Sequence, residues 1–411
     1  MKKVLLVAYH YPPIHVSSGL QRTLKFSQYL TDFSWEPSVL TINPMAYEKQ
    51  SDSQMAEVPD DIVVKRALGF DTAKHFSIAG RYPGVLAYPD RWISWWPAAV
   101  LSGFSIIKRH DIDVIFSTYP IATSHLIGLA LHKLTGKPWI ADFRDSMTEE
   151  NYPTDSKKRS IYQWIEKKTI KHCAKAIFTT TGALSMYAER YPEYSAEKWV
   201  VIENAFDEEN FAQAMQVETA SRDGDLIKLV HSGVLYPSER DPTAFFDAVT
   251  ELKTEGLINA GNVQIVLRAT GHDGLFMPML KDRGIDDVVL LEPSVPYVNA
   301  LQEMLAADGL MVFQASNCNH QIPAKIYEYL RAEKPIFALT DEAGDTASVL
   351  KRANMGTIVP LDNKDKIKQG LLDFIKQIKA GTAKKADQSV WSQHSRYART
   401  EQLATLLNEL A

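Results

Sequence analysis

Lys325 and Glu328 stand three residues apart in the segment 323–330 (PAKIYEYL), directly behind a polar loop at 314–322. The apolar runs 309–313 before the loop and 336–339 after the segment have strand length, as parallel strands covered on both faces do. Pro323 suits the first position of a helix, because its φ is already fixed. At that end, unpaired backbone N–H groups and the positive pole of the helix face the loop, a natural seat for a phosphate or a sugar hydroxyl. Glu328 lies deeper and, ionised, only accepts hydrogen bonds, so it suits a vicinal diol such as the 2′ and 3′ hydroxyls of a ribose. The same spacing equally fits an ion pair on a solvated helix face. The fragment alone does not choose between the two.

These residues need a scaffold, and the rest of the chain supplies the pattern of one. Its 411 residues exceed one ordinary core, so two domains of roughly 200 residues are expected. Hydrophobic residues make up 45% and charged residues 23%, and no apolar run approaches the ~20 residues of a membrane span. The net charge of −5 argues against a nucleic-acid binder. The two cysteines, Cys173 and Cys318, have no metal-ligand spacing and imply a reducing, cytoplasmic setting without disulfides.

Strand and helix patterns alternate from the N-terminus: a strand at 4–8, a helix at about 19–31, a strand at 37–42. Such alternation implies βαβ units and a parallel sheet. Gly19, at the mouth of the first helix, would let backbone approach a ligand, but there is no G-x-G-x-x-G, which argues against a nicotinamide or flavin site. A plain loop with Ser18 as helix cap is the competing reading. Residues 43–90 read as irregular. Asp111 and Asp113 precede a strand and read as its entry, not as metal ligands. At 137–145 a buried strand ends in Asp142, Arg144 and Asp145. Ligands gather at the carboxyl ends of strands in such sheets, so these are site candidates, against a structural ion-pair network. Residues 208–225 look like a polar linker, after which the alternation restarts. The predicted fold is α/β, with two doubly wound Rossmann-like domains facing a cleft at 1–207 and 208–390. A terminal helix at 391–411 packs back on the body of the protein.

Assembled, the chain resembles the retaining nucleotide-sugar glycosyltransferases of the two-Rossmann (GT-B) fold, the group called family four. The resemblance rests on Tyr11-Pro12-Pro13 with Gly19 and Arg22, on WIADFRD at 139–145 and on IENAFD at 202–207. Gly233 with Arg240 and the PAKIYEYL segment complete it. It implies a glycosyltransferase that moves a sugar from a nucleotide-diphosphate sugar to a glycan or lipid-linked acceptor in polysaccharide or glycoconjugate synthesis. Retention, no metal and no cofactor are implied too. On the donor side it implies Gly19, Gly233, Arg240 at the diphosphate, Pro323, Lys325, and Glu328 at the ribose. On the catalytic side it points to Asp142, Arg144 and His320, the last standing eight residues before Glu328 where the family has an acid. Three positions depart from the pattern: His320, Ala205 in place of the hinge glycine, and Glu333 in place of a helix-closing glycine. A non-hydrolysing nucleotide-sugar epimerase and a catalytically silent nucleotide-binding relative are the rival readings. Trp92, Trp95 and Trp96, with the basic stretch 157–171, suggest peripheral contact with the inner face of a membrane, against a reading as core and ordinary surface.

Overall fold

The computed structural model describes residues 1–14, 18–79, 81–150, 152–216 and 224–411, without the side chains of 18 and 52–54. The chain divides into two compact units, Met1–Asn204 with Arg396–Ala411, and Ala205–Ser395. The boundaries expected at 207/208 and 390/391 thus fall at 204/205 and 395/396.

The first unit holds seven parallel strands: β1 (Lys2–Val7), β2 (Trp35–Ile42), β3 (Val63–Ala67), β4 (Val114–Thr118), β5 (Trp139–Phe143), β6 (Lys175–Phe178) and β7 (Trp199–Val201). Their order is β3-β2-β1-β4-β5-β6-β7, so the winding reverses between β1 and β4. Successive side chains of a strand point to opposite faces. Leu5 and Val7 accordingly join one core with Leu40, Ile115 and Trp139, while Val4 and Leu6 join another with Leu24, Trp35 and Val114. The last helix, Arg396–Asn408, buries Leu403 and Leu407 in that second core.

The second unit repeats the plan with β8 (Ile227–Ser232), β9 (Val263–Arg268), β10 (Val289–Glu292), β11 (Gly309–Phe313), β12 (Ile336–Leu339) and β13 (Ile358–Val359). The order β10-β9-β8-β11-β12-β13 reverses between β8 and β11. Apolar clusters again cover both faces. The protein is therefore α/β with two doubly wound units.

Several expectations are corrected. Residues 43–90 contain β3, an edge strand whose Lys65 and Arg66 interrupt the apolar run and discourage further pairing. The expected linker begins with a helix, Glu208–Met215, capped by Asp207. Its acidic first turn complements the helix dipole, and Phe211 and Ala214 are buried; residues 217–223 lie outside the described residues, as does the Ser18 cap. Trp95 is fully buried and Trp92 packs on the first core, which leaves Trp96 as the exposed member of the trio. Asp111 takes a left-handed φ of 52° to end the preceding helix, and Asp113 Oδ2 accepts from Lys3 N at 2.8 Å, so the pair shapes a strand entry. Cys173 and Cys318 are both free and buried. Among the described residues no helix is long and apolar enough to cross a membrane.

Candidate functional site

Ligands of doubly wound sheets bind where the strand order reverses, at the carboxyl ends of the strands. In the second unit that is the space after β8 and β11. β8 delivers His231 and Ser232, then Gly233 with φ of +117°, a conformation open to glycine. A β-carbon on Gly233 would lie 2.9 Å from Lys325 Nζ, so the glycine also makes room for that amine. Lys325 Nζ sits 3.2 Å from His231 Nε2, and His231 Nδ1 lies 2.9 Å from the Met311 carbonyl. Burial, with Arg240 next, draws the Lys325 amine well below its ordinary value, and Glu328 opposes them. Arg240 stays on this loop, donating to the Val234 carbonyl at 2.7 Å and resting on the Tyr236 ring. Among the described residues neither Arg240 nor Lys325 forms an ion pair with a carboxylate.

The loop after β11 is shaped from within. Gln314 is buried, and its Nε2 donates to the carbonyls of Cys318 (2.6 Å) and Gln321 (2.8 Å). Ala315 N donates to the Glu239 carbonyl (2.7 Å) and Asn317 Nδ2 to the Ser238 carbonyl (2.9 Å), tying the two loops together. His320 is exposed at the far end of this loop. The helix that follows runs Lys325–Arg331, with Ala324 before it. Pro323 is therefore not its first residue: its carbonyl accepts from Ile326 N at 3.0 Å in a preceding turn. Glu328 Oε1 accepts from Tyr297 Oη at 2.8 Å, and Tyr329 Oη accepts from Ser232 N at 2.9 Å, so the helix is fastened to the strand end it faces. Sequence reading missed His231 and Tyr297, while Gln314 stands at the head of the polar loop 314–322 that it singled out. His231 lies inside an apolar run, and Tyr297 is 31 residues from its partner, so neither makes a local motif.

In the first unit the reversal lies between β1 and β4. Asp142, at the end of β5, is fully buried and closed on all sides. Arg22 holds it with two hydrogen bonds (3.0 and 2.8 Å), and Thr118 Oγ1 donates to it at 2.8 Å. Arg22 also donates to the carbonyls of Ile202 and Glu203. Asp142 thus locks the first helix, Ser18–Tyr29, to the sheet. Arg144 is differently placed: among the described residues its Nε alone is engaged, donating to the Tyr119 carbonyl at 2.6 Å. Its guanidinium lies against Gly19, where a β-carbon would sit 2.1 Å from Nη1, so Gly19 serves Arg144 in this unit. Burial lowers the Arg144 pKa, with Asp145 and Asp142 opposing. His10, in the loop after β1, is brought to about 3 by burial and then by Arg144, and is neutral.

Residues 59–210 match the model of Glycosyltransferase Family 4. No curated protein matches the sequence. Solved structures match along the whole chain. Sucrose-phosphate synthase of Thermosynechococcus elongatus is 11% identical with a TM-score of 0.70, covering 100% of this chain and 99% of its own. HepE of Anabaena in complex with UDP-glucose is 13% identical with a TM-score of 0.67 and full coverage of both chains. UDP-GlcNAc 2-epimerase of Neisseria meningitidis bound to UDP-GlcNAc is 9% identical with a TM-score of 0.58, again over both full chains. Identities this low establish a shared fold, the GT-B arrangement of two parallel sheets.

Proposed function

We propose that this chain, a GT-B protein with a Family 4 glycosyltransferase segment at 59–210, moves a sugar from a nucleoside-diphosphate sugar to a hydroxyl of a glycan or lipid-linked acceptor. One observation carries the reading: Arg240 and Lys325 converge at the β8/β11 reversal, beside Gly233, with neither in an ion pair with a carboxylate among the described residues. A diphosphate supplies the missing negative charge, and the two cations stabilise it as its charge grows on departure. In this role they stand where a metal would otherwise act, and activity survives a chelator. Glu328, oriented by Tyr297, takes the ribose diol. His320 reaches the sugar from its exposed loop, and the acceptor attacks with net retention. In the first unit, Asp142 positions the scaffold while Arg144 keeps two guanidinium nitrogens for an acceptor group.

The test is incubation with nucleoside-diphosphate sugars, with and without candidate acceptor glycans and lipid-linked sugars. The proposal predicts nucleoside diphosphate release coupled to acceptor glycosylation. The epimerase reading, favoured by the full-length match to UDP-GlcNAc 2-epimerase, predicts instead an epimerised donor with no acceptor present.

A further inference from the structure

We infer that one face of the first unit, formed by the helices Trp95–His110, Ala122–Thr135 and Ser156–His172, docks on a bilayer rich in anionic phospholipid. This inference does not rest on the sugar chemistry. The Ala122–Thr135 helix packs against both others. Trp96 Nε1 donates across to the Leu126 carbonyl at 3.2 Å, and the His132 and His172 rings lie 6.2 Å apart.

The outer faces of the two flanking helices are unlike ordinary surface. On Trp95–His110 the exposed residues Pro97, Leu101, Phe104 and Lys108 follow one another at helical spacing, so they form one stripe. Leu101 is 74% exposed and Phe104 39%, where a charged side chain would be expected. On Ser156–His172 the matching stripe is Lys157, Trp164, Lys167 and Lys171, with Trp164 53% exposed. Large apolar side chains gathered on one face mark a contact surface.

Charge selects the partner. The Ser156–His172 helix carries Lys157, Lys158, Arg159, Lys167, Lys168 and Lys171 against one carboxylate, Glu166, which is buried and paired with Arg190 at 2.7 Å. The other two helices have no carboxylate. The crowding is felt at His172, lowered by burial and then by Lys133, His132, Lys171 and Lys168. A protein of net charge −5 thus gathers basic residues around exposed Trp, Leu and Phe. Aromatic and aliphatic side chains that insert shallowly, ringed by lysines, fit an anionic lipid surface. The sequence-based interface of Trp92, Trp95 and Trp96 thereby shifts to Trp96, Leu101, Phe104 and Trp164.

The full chain is sedimented with vesicles of phosphatidylcholine containing a quarter phosphatidylglycerol, and with phosphatidylcholine alone. Two variants accompany it, Leu101→Ser/Trp164→Ser and Lys157→Glu/Lys167→Glu/Lys171→Glu, each checked for an unchanged melting temperature. The expected result is binding to the anionic vesicles, weakened about tenfold or more between ~0.1 and ~1 M salt as the Debye length shortens from ~10 to ~3 Å, and by at least tenfold in each variant. No binding at low salt, binding indifferent to both variants, or variants that instead abolish self-association would each overturn the inference. None of these outcomes touches the transferase reading.

Discussion

Lys325 Nζ lies 3.2 Å from His231 Nε2. When His231 Nδ1 donates to the Met311 carbonyl at 2.9 Å, Nε2 accepts from the Lys325 amine; the Gly233 carbonyl stands 3.1 Å from the same nitrogen and takes the hydrogen bond of the other tautomer. Burial and then Lys325 hold His231 well below its usual value, so the ring stays neutral. Burial, and Arg240 after it, disfavour the charged form of the Lys325 amine beside that ring.

A diphosphate beside Lys325 restores the stability of its charge and raises its depressed pKa. Where the free protein has lost that proton, binding must take one up. Affinity for a nucleoside diphosphate therefore falls as pH rises above the pKa of the free protein, by up to about tenfold per unit. Calorimetry in buffers of different ionisation enthalpy measures the uptake. It should vanish in Lys325→Met, and uptake unchanged in that variant would assign the proton elsewhere.

Asp142 gives a prediction of the opposite kind. Removing one partner of a buried ion pair strands the other, at a cost of about 3–5 kcal/mol. Asp142→Ala should lower stability in urea by that order, through Arg22. Full stability with lost turnover would move Asp142 from scaffold to chemistry.

Glu333 combines strain with compensation. Its φ of 54° costs an L-residue about 1–2 kcal/mol, while Trp391 Nε1 donates to its Oε1 at 3.1 Å, a bond contributing about 0.5–1.5 kcal/mol. Glu333→Gly loses the bond and the strain together and should stay within about 1 kcal/mol of the native protein. Glu333→Ala loses only the bond and should be the less stable of the two in denaturant melts; equal stability of the two variants would remove the strain argument.

Much of this was legible in the sequence. Continuous apolar runs marked β11 and β12 at their observed bounds, because strands buried on both faces admit few polar residues. The left-handed backbone at Glu333 was expected from the residue that usually stands there. What escaped was non-local or locally disguised. β3 carries charges because it is an edge, and the 208–215 helix hides its two buried apolar residues, Phe211 and Ala214, behind acidic ones that serve its dipole. Pro323 was placed on the helix by preference, yet the tight turn through its own carbonyl delays the helix by two residues. Arg22 closing on Asp142 joins residues 120 apart, which spacing cannot show.

His125 and His10 set a limit in acid. Burial brings His125 from 6.5 to about 3, and His10 to the same value. Between those pH values the unfolded chain binds protons that the folded one refuses. Their contribution is fully present above about 6.5 and is lost as pH falls toward 3, by up to about 1.4 kcal/mol per unit for each ring. Urea melts from pH 6 to 4 should show a shallower loss in His125→Gln, and an identical slope would contradict the assignment.

The central claim is that the second unit is built for a nucleoside diphosphate at Arg240 and Lys325. Calorimetric titration of the common nucleoside diphosphates into the native protein, Arg240→Ala and Lys325→Met tests it most directly. The account predicts saturable binding of at least one nucleotide, weakened by about 1.5–3 kcal/mol in Arg240→Ala, the range of a charge-assisted hydrogen bond, and weakened also in Lys325→Met. Binding of none, or binding equally tight in all three proteins, would contradict it.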